Sequence, residues 1–281
     1  MRDEAAVCRG VETRQKLPKF LYQQSSALKL LGDAGMSEYR MSKLNNVVPQ
    51  NLTCLWTAED EMMTWATEVV ASEEYLQDHL ELIEAYMDCV EIVRRSGASG
   101  NRHIALVGLF LRTFDASSYC VRSAMSGNYT GSAMYARDIL ETQFLLSYLM
   151  DEPGRPEVWL ASDPRTAPEE YKPAVVRKYL DNRDGFVEKK RMQSYKALST
   201  LGAHPSPGGL ELKRDGGKAI RSGPFKQRDT LEKCIQEAAR VILPLCAMLH
   251  DYTIAEMENG PSMSSRLALI LQRTRVKYFG G

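Results

Sequence analysis

Between Thr57 and Arg95 the chain contains neither proline nor glycine, the two residues that most readily interrupt a helix. Apolar residues recur there every seven positions, at Met62, Val69, Leu76, Ile83 and Val90. A seven-residue apolar repeat predicts a helix with one apolar seam that packs against another helix. The segment is therefore predicted to be one long helix, or two helices with a kink near Ser72.

Further apolar stretches with helical spacing predict helices along most of the chain. They cover residues 14–33, 102–126, 131–150, 169–182, 186–203, 225–257 and 262–277. The helix over 131–150 is apolar on nearly all sides, which is typical of the centre of a bundle. An Asp-Gly turn predicts a β-hairpin over 210–221. The predicted fold class is all-α: an up-down bundle of long helices with one small β-hairpin insertion.

The predicted domains are an N-terminal helical extension over residues 1–56 and a helical bundle over residues 57–281. The N-terminal residues contain no apolar segment of the kind that signal peptides require. The longest uncharged apolar run, Ile104–Leu111, is much shorter than the roughly 20 residues of a membrane-spanning helix. No two cysteines are spaced as Cys-x-x-Cys. We therefore expect a cytoplasmic protein without a membrane segment.

The charge of the chain is balanced overall and separated along its length. Lys+Arg and Asp+Glu both number 36, so total charge predicts neither a nucleic-acid partner nor a membrane partner. Residues 57–95 carry a net charge of −9, whereas residues 172–228 carry +9. The basic segment is either a set of solvated helix faces or a surface that contacts phosphates. Under the second interpretation, the nucleic-acid-binding residues are Lys213, Arg214, Lys218 and Arg221.

Several catalytic and cofactor motifs are missing from the sequence. It contains no Walker loop, no Gly-x-Gly-x-x-Gly fingerprint, no Gly-x-Ser-x-Gly elbow and no His-Glu-x-x-His. The histidines are not paired at helical ligand spacing. We therefore expect neither a cofactor nor a metal site.

Two charged residues, Arg137 and Glu141, lie four positions apart on the predicted central helix. Residues at this spacing share one face of a helix. Charges on an otherwise apolar face must be paired or must line a cavity, because an unpaired buried ion costs several kcal/mol. The pattern predicts either a structural ion pair or a polar site inside the bundle.

A second candidate segment runs from Tyr195 to Pro205 and includes Lys196, Ser199 and His204. Proline pushes the residue before it out of the helical region, so the helix is predicted to end at His204. A histidine at a helix end is either a cap or packed residue, or a group that titrates near neutrality beside the basic segment.

Together these residues resemble a bacterial helical family of unknown function that is grouped with the HEPN-like (higher eukaryotes and prokaryotes nucleotide-binding) proteins. The resemblance rests on Arg137-Asp-Ile-Leu-Glu141, on Trp159 amid prolines, and on Tyr195-x-x-Leu-Ser199-x-x-x-x-His204-Pro205, and it extends over residues 102–249. It implies an up-down bundle, often a homodimer, and a place in toxin–antitoxin, antiviral or RNA-processing systems. Active members resemble metal-independent ribonucleases that carry Arg and His on one helix.

The sequence departs from the active motif, which places an arginine four to six intervening residues before the histidine. Here those positions hold Ser199, Leu198 and Ala197. If the chain is an endoribonuclease, His204 would be the general acid or base, and Arg137 or Lys196 would stabilise phosphate charge. Glu141, Tyr195 and Ser199 would then support them.

The alternative is a non-catalytic helical module that binds another protein, such as an antitoxin, through its heptad seam. The missing arginine favours this module, whereas the basic segment and the position of the histidine favour association with RNA. The sequence leaves both hypotheses open.

Overall fold

A computed structural model of the chain describes residues 48–97, 99–163, 169–215, 219–221 and 223–279. The chain divides into two units, Met1–Trp56 and Thr57–Gly281, and nearly all described residues belong to the second. The helix that the sequence predicts over residues 14–33 lies outside the described residues.

The described residues form eleven α-helices and one pair of short strands, and 81% of them are helical. The prediction of an all-α protein is therefore confirmed. The α-helices are α1 (Gln50–Ser72), α2 (Glu74–Arg95), α3 (Asn101–Met125), α4 (Tyr129–Met150), α5 (Arg155–Leu160), α6 (Pro173–Arg183), α7 (Lys190–Leu198), α8 (Pro207–Glu211), α9 (Arg228–Glu256), α10 (Gly260–Met263) and α11 (Ser265–Thr274). Glu169–Tyr171 forms a 3-10 turn, and Ser199–Ala203 and Arg275–Phe279 form π-helical turns.

The heptad segment is two helices, α1 and α2. Glu73 separates them because its backbone is extended, with φ −126° and ψ 106°. All five seam residues are buried by the chain itself, and α2 packs against α9 and α11. The apolar seam is therefore covered by other helices of the same chain. It provides no argument for a homodimer or for a protein partner. A homodimer stays a prediction that rests on the family resemblance.

The strands are β1 (Arg214–Asp215) and β2 (Ala219–Ile220), which pair antiparallel. The hairpin predicted from residue 210 is thus shorter than expected, because its first residues belong to α8. The Ser206 side chain caps that helix by accepting a hydrogen bond from the Gly209 amide at 3.0 Å. Pro207 occupies its first turn, where the missing amide hydrogen costs nothing.

Helix α4 packs against five other α-helices, which accounts for its apolar sequence. It contacts α3, α5, α6, α7 and α9. Its buried residues include Ile139, Phe144, Leu146 and Leu149. Because other helices cover most of α4, its polar side chains Arg137, Asp138 and Glu141 are only partly exposed.

Helix α3 is the one helix among the described residues that is long and apolar enough to cross a membrane. Its apolar window has a mean hydropathy of 1.3, and half of that window is buried inside the protein. Leu106 and Phe110 are fully buried core residues. Because the core helix of a soluble protein passes the same test, α3 is weak support for a membrane segment.

The lowered pKa of His79 makes the stability of the fold depend on pH. The side chain is buried in α2, and its removal from water lowers its pKa below 6.5, although Asp78 acts in the opposite direction. Folded His79 therefore binds a proton less readily than it does in the unfolded chain. Its contribution to stability is present above pH 6.5 and is lost as pH falls through the lowered pKa.

Urea unfolding at several pH values tests this expectation. The free energy of unfolding of the wild type should fall as pH drops below 6.5, and the fall should be smaller in His79→Gln. Part of the fall should remain, because burial also lowers the pKa of His103. An equal pH dependence in both proteins would contradict the assignment to His79.

Candidate functional site

Arg137 and Glu141 form an ion pair on the surface of α4 that faces α7. The Arg137 Nη2 atom lies 3.1 Å from Glu141 Oε2, and the two side chains are 26% and 29% exposed. Burial alone would lower the pKa of Arg137, but the hydrogen bond to Tyr195 and the charge of Glu141 outweigh it, and the pKa is raised. The guanidinium is therefore always charged.

The same guanidinium connects α4 to the neighbouring helix. Arg137 Nη2 donates a hydrogen bond to the Tyr195 hydroxyl at 2.5 Å, and Nε donates one to Ser199 Oγ at 3.0 Å. The guanidinium also lies 4.8 Å from the centre of the Tyr195 ring. Four residues singled out in the sequence, namely Arg137, Glu141, Tyr195 and Ser199, thus lie together in one cluster.

A π-helical turn over Ser199–Ala203 places Ser199 in this cluster. The His204 amide donates to the Ser199 carbonyl at 3.0 Å, which is the i→i+5 pattern of a π-turn. A Cβ atom on Gly202 would lie only 2.6 Å from the Met134 backbone nitrogen. The absence of a side chain at Gly202 therefore lets this turn rest directly on the backbone of α4.

The His204 and Lys196 side chains form no hydrogen bond or ion pair with the cluster among the described residues. Both side chains are exposed, and the His204 backbone is extended, with φ −120° and ψ 140°. Pro205 follows His204 and favours this extended conformation, which takes the chain away from the end of the helix. The geometry therefore provides no support for a composite catalytic site of His204 with Arg137 or Lys196.

The predicted nucleic-acid-binding residues differ in their exposure to solvent. Lys213 and Arg214 are half-buried, and Arg221 is exposed. Arg214 lies 3.5 Å from Glu211, so its charge is compensated. Lys218 lies outside the described residues.

A cavity of about 470 Å³ opens beside the cluster, among α3, α4, α5 and α6. Its charged lining residues are Arg112, Arg137, Asp138, Glu141 and Arg177. Its aromatic lining residues are Phe144, Trp159 and Tyr171. Three cations and two carboxylates leave a formal charge of +1 in the lining.

Arg177 on α6 carries that excess charge. Arg112 pairs with Asp138 at 2.6 Å, just as Arg137 pairs with Glu141. Within the described residues Arg177 forms no ion pair, and its buried Nη1 atom has no hydrogen-bond partner. Its guanidinium stacks on the Tyr195 ring, 4.1 Å from the centre. We call this site the Arg177 cavity.

Arg177 does not stand out as a site residue in the sequence. The only signal in the sequence is that Arg177 belongs to the basic segment, and that signal does not distinguish it from the other cations there.

Among the described residues, no group of three or more His, Cys, Asp and Glu side chains could hold a metal ion. No protein-family model, no curated protein and no solved structure matches this chain.

Proposed function

We propose that this chain is an HEPN-like, RNA-associated protein that binds single-stranded RNA at the Arg177 cavity. The observation that carries the proposal is the Arg177 guanidinium, which forms no ion pair with any residue that the structure describes and lines a cavity with Trp159 and Tyr171. A guanidinium recognises phosphate through charge-assisted hydrogen bonds. Aromatic side chains stack on bases without requiring a particular sequence. The volume, about 470 Å³, is within the range of small-molecule sites and suits one nucleotide unit.

The lining of the cavity favours binding over cleavage. Its residues include no histidine, and its two carboxylates, Asp138 and Glu141, are paired with arginines. A general acid or base must come within about 3 Å of the atom that it protonates or deprotonates. RNA cleavage at His204 therefore forms no part of the proposed function.

The family resemblance supplies the broader context of the proposal. It adds an up-down arrangement of the helices, a cytoplasmic location and a role in RNA processing, toxin–antitoxin or antiviral systems. The alternative, a module that binds a protein through the heptad seam, is less favoured because the seam is buried by the chain itself.

Fluorescence anisotropy with a labelled 12-residue oligouridylate at low salt tests the proposal. Arg177→Ala is expected to weaken binding at least about tenfold, which corresponds to about 1.4 kcal/mol. Binding should also weaken as salt rises, and the salt dependence should be smaller in the variant because one phosphate contact is lost. The matched control is Arg95→Ala, which removes an arginine that pairs with Glu91 on α2 and does not line the cavity.

Two outcomes would count against RNA binding at this site. The first is a wild-type protein that does not bind the oligonucleotide at low salt. The second is an equal loss of affinity in Arg177→Ala and Arg95→Ala, which would indicate a diffuse charge effect rather than a local site.

A further inference from the structure

A second cavity, of about 760 Å³, lies among α4, α7, α8 and α9. Its lining shares no residue with that of the Arg177 cavity. Much of its wall is aliphatic, with contributions from Ala133, Ala136, Leu198, Leu201 and Leu212. The cavity is therefore suited to an apolar body of substantial size.

One wall of this cavity includes the Cys234 thiol of α9. Burial raises the pKa of Cys234 to about 12, so the group is a neutral thiol near pH 7. Cys234 is half-buried, and a protonated thiol in such a place behaves as a small apolar side chain. Cys234 thus extends the aliphatic wall and adds no charge to it.

The charged residues at this cavity are compensated with one exception. Arg240 forms a two-pronged hydrogen bond with Glu237, at 2.7 and 2.5 Å, and Arg214 lies 3.5 Å from Glu211. Lys233 lines the cavity but forms no ion pair within the part of the chain that the structure describes. Its side chain is exposed, so the excess positive charge lies where the cavity meets solvent.

We propose that this cavity binds an amphipathic carboxylate, with its acyl chain among the alanine and leucine side chains and its carboxylate against Lys233. The apolar wall contributes affinity through the removal of methylene groups from water. Each methylene added to the ligand should therefore tighten binding about threefold to fourfold, until the cavity is full. The unpaired ammonium provides the preference for an anionic head group. We call this site the Lys233 cavity.

Isothermal titration calorimetry with octanoate, decanoate and dodecanoate, each below its critical micelle concentration, tests the proposal. Decanoate should bind more tightly than octanoate. Decyltrimethylammonium, whose alkyl chain is one methylene longer and whose head group has the opposite charge, should bind at least about tenfold more weakly than decanoate. Lys233→Gln should remove most of that difference. Lys226→Gln, which changes a lysine that does not line the cavity, should leave the difference unchanged.

A second variant tests the location of the acyl chain. Ala197 lines the cavity and is exposed on α7, so Ala197→Phe should narrow the cavity without creating a clash in the core. It should abolish the binding of decanoate while leaving the melting temperature close to that of the wild type. Since Lys233 is also exposed, the charge experiment remains decisive even if Ala197→Phe alters folding.

The proposal is overturned if decanoate does not bind, or if decanoate and decyltrimethylammonium bind equally. It is also overturned if a folded Ala197→Phe variant binds decanoate like the wild type. Arg177→Ala should not change decanoate affinity, because Arg177 lines the other cavity. A failure here and a failure of RNA binding are therefore distinguishable.

Discussion

Replacing Arg137 with alanine is expected to lower the free energy of unfolding by about 3 kcal/mol. The substitution removes the ion pair with Glu141 and the hydrogen bonds to Tyr195 and Ser199. Ser199 is buried, and the Glu141 side chain is only 29% exposed, so water replaces the lost partners poorly. The attachment of α7 to α4 should weaken accordingly.

Urea unfolding of Arg137→Ala measures this effect, with Arg112→Ala as the matched control. Arg112 of α3 forms an ion pair with Asp138, the residue that follows Arg137 on α4, but the Arg112 side chain is 59% exposed. An exposed pair is worth little, about 0 to 1 kcal/mol. If both substitutions lower the free energy of unfolding equally, Arg137 contributes no more than an exposed cation, and its contacts do not stabilise the packing of α7 on α4.

The substitution Gly202→Ala is expected to lower the free energy of unfolding by about 2 to 3 kcal/mol. The added Cβ would lie 2.6 Å from the Met134 nitrogen and 2.9 Å from the Ala133 carbonyl carbon. Both atoms belong to the backbone of the central helix, which cannot move aside as a flexible side chain would. The π-turn should therefore shift away from α4, and Ser199 should lose its contact with Arg137.

Gly108→Ala is the matched control, because Gly108 also lies within a helix and a Cβ there would have no heavy atom within 4 Å. Alanine is the better helix former, so this variant should be as stable as the wild type or more stable by up to about 1 kcal/mol. Chemical denaturation of both variants gives the comparison. Wild-type stability in Gly202→Ala would mean that the turn tolerates a wider separation from α4.

Local pattern predicted most of the helices. The apolar residues over 131–150 predict a helix with neighbours on nearly all sides, and α4 contacts five other α-helices. The spacing of Arg137 and Glu141 predicted their shared face, because helix geometry brings residues four apart together. Both inferences depend on neighbours within one helix, where sequence separation determines distance.

The end of the 186–203 segment was predicted less well. The sequence suggested one continuous helix, whereas α7 ends at Leu198 and a π-turn follows. Such a turn changes the direction of the residues after it, so helical spacing does not predict where His204 lies. The predicted hairpin was too long for a similar local reason. Ser206 and Pro207 begin a short helix that includes Leu210 and Glu211, whereas the Asp-Gly turn alone predicted strands there.

The sequence by itself determined the helical class and the shared face of Arg137 and Glu141 on α4, because both follow from periodicity along one helix. Only the tertiary structure decided that Arg177 stacks on Tyr195, lines one cavity with Trp159 and forms no ion pair among the described residues. It also decided that the heptad seam is buried within the chain. These features join residues on separate helices, and no spacing in the sequence encodes such distances; they depend on how the helices pack.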